Sequence, residues 1–220
     1  MEDFETIECD VLVVGAGLAG MRAAISASAE GANVAMITIV HPVRSDSNAA
    51  QGGINAALTS RGDTWDDHAL ATVKGSDYLG DQDAIEVMCS EAGDTLIELE
   101  HMGVIFNRDD DGRLGTRRFG GQAVARTFFV ADITGQALLQ VLYEQIVKAG
   151  VRVYEEWFVL SLLVDDGQCG GAVMMDIKTG QIEVVRAKST ILATGGLGRV
   201  FEPSTNALIC TGDGMSLGYT

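Results

Sequence analysis

The clearest chemistry in this sequence comes from three glycines spaced as Gly-x-Gly-x-x-Gly, namely Gly15, Gly17 and Gly20. They follow an apolar run at 11–14 and open a stretch of small residues at 20–30, so they lie between a predicted strand and a predicted helix. Gly15 permits the tight turn, Gly17 lets a pyrophosphate approach the backbone, and Gly20 lets the helix pack on the strand. The helix N-terminus adds free amides and a positive dipole, so we expect a phosphate-binding loop rather than a turn without a ligand.

A second segment, Arg44 to Gly53, reads Arg-Ser-Asp-Ser-Asn-Ala-Ala-Gln-Gly-Gly and lies about one βαβ unit after the glycine loop. The two segments together indicate a flavin site rather than a generic dinucleotide site. The acidic residue that usually ends the second strand of such a fold is absent, because the sequence there is Ile37-Thr38-Ile39. Thr38 either hydrogen-bonds a ribose hydroxyl or is only a strand residue.

Two later loops combine small residues with one carboxylate. Ala193-Thr194-Gly195-Gly196 follows an apolar strand, and its small side chains let the loop approach a bound cofactor. Asp213 lies between two glycines at a predicted helix start. Its carboxylate either caps that helix or holds a ribityl or ribose hydroxyl.

The composition argues against several other classes of protein. The chain has 220 residues, 27 glycines and a net charge of −16, which is typical of a packed α/β protein and gives no support to nucleic-acid binding. The four cysteines are widely spaced and the three histidines lack ligand spacing, so no metal site is predicted. No apolar run approaches the roughly 20 residues of a membrane span, and the acidic N-terminus is unlike a signal peptide.

Hydrophobic spacing predicts the elements that position these residues. Strands are expected at 11–14, 34–40, 151–164, 171–177, 182–186 and 189–194. Helices are expected at 20–30, 64–101, 134–148 and from 211 onward. Gly93 is expected to interrupt the second helical region, 103–125 to form a loop, and Lys178-Thr179-Gly180 to turn a hairpin. This order predicts an α/β fold: a Rossmann-like parallel sheet with a helical insertion and an antiparallel β-meander.

Taken together, these motifs resemble the flavoprotein subunit of succinate dehydrogenase and fumarate reductase. Besides the glycine loop, the resemblance rests on ordered motifs along the whole chain. They are Pro42-Val-Arg-Ser, Ala49-Ala-Gln-Gly-Gly-Ile, Val73-Lys-Gly-Ser-Asp-Tyr-Leu-Gly-Asp-Gln-Asp-Ala, Leu99-Glu-His-Met-Gly, Arg118-Phe-Gly-Gly-Gln, Ala131-Asp-Ile-Thr-Gly, Leu192-Ala-Thr-Gly-Gly-Leu-Gly-Arg, Thr205-Asn and Thr211-Gly-Asp-Gly-Met.

The resemblance implies an FAD-binding domain over 1–220 that exchanges a hydride between FAD and a C4 dicarboxylate. Electrons would pass to or from an iron–sulfur subunit, held at the membrane by anchor subunits, so we expect a cytoplasmic protein that meets the membrane only through these partners. By position, Gly15 to Gly20 would hold the pyrophosphate, Thr38 would meet the adenosine ribose and Ser45 to Gly53 would line the isoalloxazine. Phe158-Val159 would border the adenine.

The FAD-binding residues that the resemblance implies are spread over the whole chain. They are Gly15, Ala16, Gly17, Leu18, Ala19, Gly20, Thr38, Ile39, Arg44, Ser45, Asp46, Ser47, Ala49, Ala50, Gln51, Gly52, Gly53, Phe158, Val159, Ala193, Thr194, Gly195, Thr205, Asn206 and Asp213. On the dicarboxylate side the resemblance implies Phe119, Gly120 and Gly121. No catalytic residue is assigned, because the family's capping domain and proton-delivering arginine are expected beyond Thr220.

Asp46 is a departure from the family pattern, since many members carry there a histidine that bonds covalently to the flavin. A carboxylate cannot form that link, so FAD is expected to be non-covalent. In the family the covalent bond raises the flavin potential, and a nearby carboxylate disfavours the anionic reduced flavin. We therefore expect poor succinate oxidation and a preference for fumarate reduction. His41 is a weaker candidate for reaching the ring, and Asp46 could instead simply bind nearby backbone.

Two alternative functions remain open from the sequence. L-aspartate oxidase shares the fold and holds FAD without a covalent bond, which suits Asp46, although the motifs at 74–83 and 118–122 favour the first interpretation. The other alternative is a flavin-binding module without catalysis.

Overall fold

The computed structural model describes residues 6–219. The chain forms two compact units: the first consists of Met1–Ala49 with Leu139–Thr220, and the second of Ala50–Leu138. The helical insertion expected from the sequence corresponds to the second unit, which interrupts the chain of the first.

The first unit contains a six-stranded sheet. Its strands are β1 (Thr6–Val14), β2 (Val34–Thr38), β6 (Arg152–Glu155), β7 (Trp157–Asp165), β8 (Gln168–Asp176) and β9 (Ile182–Leu192). Their order across the sheet is β6-β2-β1-β9-β8-β7. Strands β6, β2, β1 and β9 are parallel neighbours, whereas β7, β8 and β9 form an antiparallel meander. This arrangement confirms the predicted α/β class with a parallel sheet and a β-meander.

Apolar runs suit the interior positions of β1 and β2, each of which has a neighbouring strand on both sides. All five residues of β2 are buried, as are Leu12, Val13 and Val14 of β1, as expected for parallel strands covered on both faces. Helix α1 (Leu18–Ala29) packs close to these strands through Met21 and Ala24, both fully buried. The small buried residues Gly20 and Ala24 let the helix that follows the glycine loop lie close to the sheet.

The second unit contains helices α2 (Trp65–Gly75) and α3 (Gln82–Met102) and a small sheet. The sheet consists of β3 (Ile54–Asn55), β5 (Thr127–Phe128) and β4 (Thr116–Arg117) in that order. Side-chain caps begin both helices, with Thr64 accepting from the Asp67 amide and Asp81 accepting from the Ala84 amide, each at 3.2 Å. Helix α4 (Thr134–Ala149) contains the boundary between the two units, and α5 (Asp213–Tyr219) lies in the first unit.

Several local predictions were wrong. Gly93 does not interrupt α3; it lies within the helix, where a Cβ would lie 3.2 Å from the Ala57 carbonyl oxygen, so the glycine accommodates a close backbone approach. The strands expected at 182–186 and 189–194 are the single strand β9. Conversely, 151–164 divides into β6 and β7 at Glu156, which has a positive φ of 62°. The expected loop 103–125 contains β4.

The hairpin between β8 and β9 forms as predicted. Met175 pairs with Ile182, and Gly180 takes a φ of 74° while its amide donates to the Asp176 carbonyl. Within residues 6–219, no helix is both long and apolar enough to cross a membrane.

Candidate flavin-binding pocket

An open pocket in the first unit is lined by the loops that follow β1, β2 and β9. It encloses about 790 Å3 of empty space, including open solvent at its mouth. Fourteen of the residues expected at the cofactor line it: Gly15, Ala16, Gly17, Thr38, Ile39, Ser45, Asp46, Ser47, Phe158, Val159, Ala193, Thr194, Gly195 and Asp213. The carboxyl ends of parallel strands are where α/β sheets bind ligands.

Steric crowding within the glycine loop explains two of its glycines. Gly15 has a φ of 106°, and a Cβ there would overlap the Ala193 carbonyl, so only glycine lets the loops after β1 and β9 meet. A Cβ on Gly20 would overlap the Gly15 carbonyl and lie 3.4 Å from the Ala193 Cβ. Gly20 therefore keeps the first turn of α1 close to its own loop, as well as to the end of β9.

Gly17 is the N-cap of α1 and has no capping side chain. A Cβ there would make only ordinary contacts, 3.5 Å from Ser47 Oγ and 3.7 Å from Ser45 Oγ, so glycine leaves space on the pocket side. The first turn of α1 contains no acidic residue that would compete for the positive end of the helix dipole. These features suit a phosphate group at the start of a helix.

Two hydroxyl groups at the pocket differ in their hydrogen bonding. Thr38 Oγ1 donates to the Val40 carbonyl at 2.8 Å, so its proton already has an acceptor and only its lone pairs can serve a ligand. Ser45 Oγ is buried and has no hydrogen-bond partner among the described residues. Because buried hydroxyls usually have a partner, the unpaired Ser45 hydroxyl fits a ligand that supplies one.

Asp46 connects two segments that are distant in sequence. Its Oδ1 accepts the Ala207 amide at 3.2 Å, and the Cys210 thiol donates to the same carboxylate. Burial raises the pKa of the Cys210 thiol, and the hydrogen bond to Asp46 and the charge of that carboxylate raise it further. Asp46 was expected either to lie beside the flavin or to hydrogen-bond nearby backbone. It does hydrogen-bond backbone, but that backbone belongs to the loop before α5, far away in sequence.

Asp213 begins α5 and lines the pocket. Its Oδ2 accepts the Thr211 hydroxyl at 2.9 Å, whereas the Met215 and Ser216 amides of the first turn donate to the Gly212 carbonyl. A Cβ on Gly214 would overlap the Thr194 hydroxyl, so glycine lets α5 approach the loop after β9. The carboxylate thus has free acceptor positions on the pocket side of the helix start.

The remaining expected residues do not line this pocket, and several of them belong to the other unit. Leu18, Ala19 and Gly20 form the first turn of α1, Arg44 and Ala49 are exposed, and Asn206 accepts from the Ser204 hydroxyl. Thr205 is exposed. Ala50, Gln51, Gly52 and Gly53 belong to the second unit, as do Phe119, Gly120 and Gly121.

The sequence analysis missed seven lining residues: Val14, Ile37, Val40, Trp157, Ile209, Cys210 and Leu217. Trp157 directly precedes Phe158, and Cys210 directly precedes the motif that begins at Thr211. Their position next to expected site residues was the feature of the sequence from which they could have been predicted. His41 does not line the pocket. Its Nδ1 accepts the Val43 amide, and its Nε2 lies 3.6 Å from Glu155 Oε1. In residues 6–219 no cluster of three or more His, Cys, Asp or Glu could hold a metal ion.

Comparisons with known proteins agree with this geometry. Residues 10–220 match the family described as the FAD binding domain. The chain is 49% identical to the succinate dehydrogenase flavoprotein subunit of Rickettsia felis over 214 residues, covering 93% of this chain and 36% of the relative. It is 45% identical to the fumarate reductase flavoprotein subunit of Mycobacterium tuberculosis over 217 residues, covering 97% of this chain and 37% of the relative.

Solved structures of fumarate reductase and of an Sdh1 complex are also similar to this chain. A quinol fumarate reductase of E. coli superposes with a TM-score of 0.91 at 38% identity, covering 97% of this chain and 37% of that one. The Mycobacterium smegmatis Sdh1 complex in its apo form gives a TM-score of 0.93 at 34% identity, covering 97% and 39%. The chain thus spans little more than a third of the length of these relatives. It is similar to the flavoprotein subunits of succinate dehydrogenase and fumarate reductase, and it belongs to the FAD binding domain family.

Proposed function

We propose that this chain is the FAD-binding portion of a flavoprotein subunit that interconverts succinate and fumarate. The observation that supports this most directly is the pocket at the carboxyl ends of β1, β2 and β9, which combines an uncapped helix start, an unpaired buried hydroxyl and a carboxylate. FAD, when bound, supplies the two-electron chemistry of hydride exchange with a C4 dicarboxylate. Electrons pass to or from an iron–sulfur partner, which anchor subunits hold at the membrane.

Each part of the pocket has a separate task in this proposal. The amides at the start of α1 bind the pyrophosphate, because the helix dipole and the absence of acidic residues favour an anion there. Asp213 accepts a hydroxyl of the cofactor, and Thr38 accepts one with its remaining lone pairs. Ser45 to Gly53 follow the isoalloxazine, and Phe158-Val159 border the adenine.

We infer that FAD is held without a covalent bond. Asp46 replaces the linking histidine, and its carboxylate is occupied by the Ala207 amide and the Cys210 thiol. Cys210 interacts with Asp46, but its raised pKa disfavours the thiolate that would attack a flavin. His41 is engaged with Glu155 and Val43.

The same carboxylate favours one direction of the reaction. A negative charge beside the ring opposes the anionic reduced flavin and lowers its potential, and the covalent bond that raises the potential in relatives is missing. A lower potential makes the reduced flavin a stronger reductant. Fumarate reduction is therefore expected to be faster than succinate oxidation.

Acid precipitation of the purified protein tests the cofactor proposal. Flavin absorbance in the supernatant is the expected result, whereas flavin in the pellet would show a covalent link and refute our interpretation of Asp46. Turnover is measured on the full-length subunit with succinate, fumarate and L-aspartate. Turnover of L-aspartate alone would favour L-aspartate oxidase, and bound FAD with no turnover of any substrate would favour a non-catalytic flavin-binding module.

A further inference from the structure

Within the first unit, one side chain holds the 193–212 loop, which connects β9 to α5, against the segment that follows β2. Asp46 Oδ1 accepts the Ala207 amide at 3.2 Å, and the Cys210 thiol donates to the same carboxylate. Asp46 begins the short helical turn Asp46–Ala49, whereas Ala207 lies 161 residues later. Hydrogen bonds to an ionised carboxylate are stronger than those between neutral groups, so Asp46 firmly joins two distant parts of the pocket lining.

Backbone hydrogen bonds fold the 193–212 loop onto itself. The Cys210 amide donates to the Ala207 carbonyl at 3.0 Å, so the two groups that the carboxylate binds belong to one turn. The Arg199 amide donates to the Cys210 carbonyl at 3.0 Å, and the Gly212 amide donates to the Gly196 carbonyl at 3.2 Å. Because these bonds join both ends of the loop, a contact that fixes Cys210 also fixes the residues just before α5.

Close packing inside the loop lets it transmit this effect. A Cβ on Gly198 would overlap the Asn206 side-chain oxygen, and a Cβ on Gly212, where φ is 78°, would lie 3.0 Å from the Leu197 Cβ. Closely packed groups resist local rearrangement. We therefore expect a displacement of the loop at Cys210 to reach the start of α5.

The second carboxylate of the pocket, Asp213, takes its position from the same loop. Only Thr211 and Gly212 separate it from Cys210. The Thr211 hydroxyl donates to Asp213 Oδ2 at 2.9 Å, and amides of the first turn of α5 donate to the Gly212 carbonyl. The direction in which Asp213 presents its free acceptor positions therefore depends on where the loop is held.

We propose that Asp46 is a positioning residue for the cofactor: by binding the Ala207 amide and the Cys210 thiol, it holds the 193–212 loop so that Asp213 can accept a hydroxyl of FAD. This inference rests on the proposed function, because it takes Asp213 as a ligand of the cofactor. Asp46 acts through the loop that it binds. The residue that replaces the linking histidine thus contributes to FAD binding without a covalent bond.

The test measures the dissociation constant of FAD for variants of the full-length subunit. Asp46→Ala should weaken FAD binding by about tenfold or more, although it removes a negative charge from a pocket that binds an anion. Asp46→Asn should recover part of that loss, because its amide oxygen still accepts the Ala207 amide. In an Asp213→Ala background, Asp46→Ala should weaken binding by no more than about threefold further, since the carboxylate that it positions is already missing.

Asp176→Ala is the matched control. Asp176 Oδ1 accepts the Lys178 and Thr179 amides at 2.7 and 3.1 Å in the hairpin between β8 and β9, so its loss also removes contacts of a carboxylate with backbone. Asp176 does not line the pocket. This variant should therefore bind FAD as the parent does.

If Asp46→Ala does not fold, Cys210→Ser and Cys210→Ala replace it. Serine keeps a donor to the carboxylate and alanine does not, so the serine variant should bind FAD more tightly. Equal affinities of the two variants would refute the proposal.

The remaining outcomes are also decisive. Unchanged or tighter FAD binding in Asp46→Ala would overturn the role of Asp46 while leaving FAD binding by the parent, and with it the proposed function, intact. Losses that simply multiply in the Asp46→Ala/Asp213→Ala double variant would show that the two carboxylates act independently and would also overturn it. If the parent subunit binds no FAD at all, the proposed function itself fails, and this inference fails with it.

Discussion

The buried ion pair of the second unit allows a quantitative prediction. Arg126 Nη2 donates to Asp63 Oδ1 at 2.9 Å, with side chains only 5% and 3% exposed. Replacing Arg126 by Met leaves the Asp63 carboxylate buried with the Thr64 amide as its described partner, at 3.1 Å. Removing one member of such a pair costs about 3–5 kcal/mol, a large part of the roughly 5–15 kcal/mol by which domains are stable.

The double variant Asp63→Asn/Arg126→Met should recover most of that loss. Asparagine keeps an oxygen that can accept the Thr64 amide, and both charges are removed together. The native pair is also imperfectly satisfied, since Asp63 Oδ2 and Arg126 Nε and Nη1 are buried without hydrogen-bond partners among the described residues. The double variant is therefore expected to unfold within about 1–2 kcal/mol of the parent.

Urea denaturation of the parent, both single variants and the double variant measures the coupling energy. We expect a coupling of at least about 2 kcal/mol between the two sites, as for contacting buried groups. Additive losses, with a coupling below about 0.5 kcal/mol, would refute the reasoning, because the two charges would then not depend on each other in the folded state.

Three further predictions follow from single contacts. Burial, and secondarily the charge of Arg126, lowers the pKa of His68, while the charge of Asp63 opposes this shift. The unfolded chain therefore binds the proton at a higher pH than the folded protein does, and the free energy of unfolding falls as the pH drops below the ordinary value of 6.5. The variant His68→Gln should show a weaker pH dependence of the free energy of unfolding, measured by urea denaturation at several pH values. Gly15→Ala should cost about 1–3 kcal/mol more than Gly31→Ala, because both glycines have positive φ but a Cβ meets no atom within 4 Å at Gly31; equal thermal denaturation midpoints would contradict this. Asp46→Asn should speed alkylation of Cys210 at a fixed pH, since the carboxylate helps to raise the thiol pKa; mass spectrometry of the modified peptide measures the rate, and an unchanged rate would show that burial alone protects the thiol.

The local sequence pattern was sufficient to predict those elements whose residues act mainly within their own segment. The glycine loop, α1 and the β8–β9 hairpin were predictable because turn geometry and small-residue packing require particular residue types at fixed spacing. Element boundaries were less predictable. Glycine in α3 suggested a break, but its role is to admit the Ala57 carbonyl, which the spacing within 82–102 does not reveal.

The sequence by itself determined the α/β class, the glycine loop between β1 and α1 and the departure of Asp46 from the family pattern, because each depends on residue type and short-range order. Only the tertiary structure decided what Asp46 contacts: the Ala207 amide, 161 residues away, and the Cys210 thiol. It likewise decided that Arg117 holds carbonyls 65 and 66 residues earlier in the chain. Such partners depend on strand register and on how loops pack, and neither is encoded in the spacing of neighbouring residues.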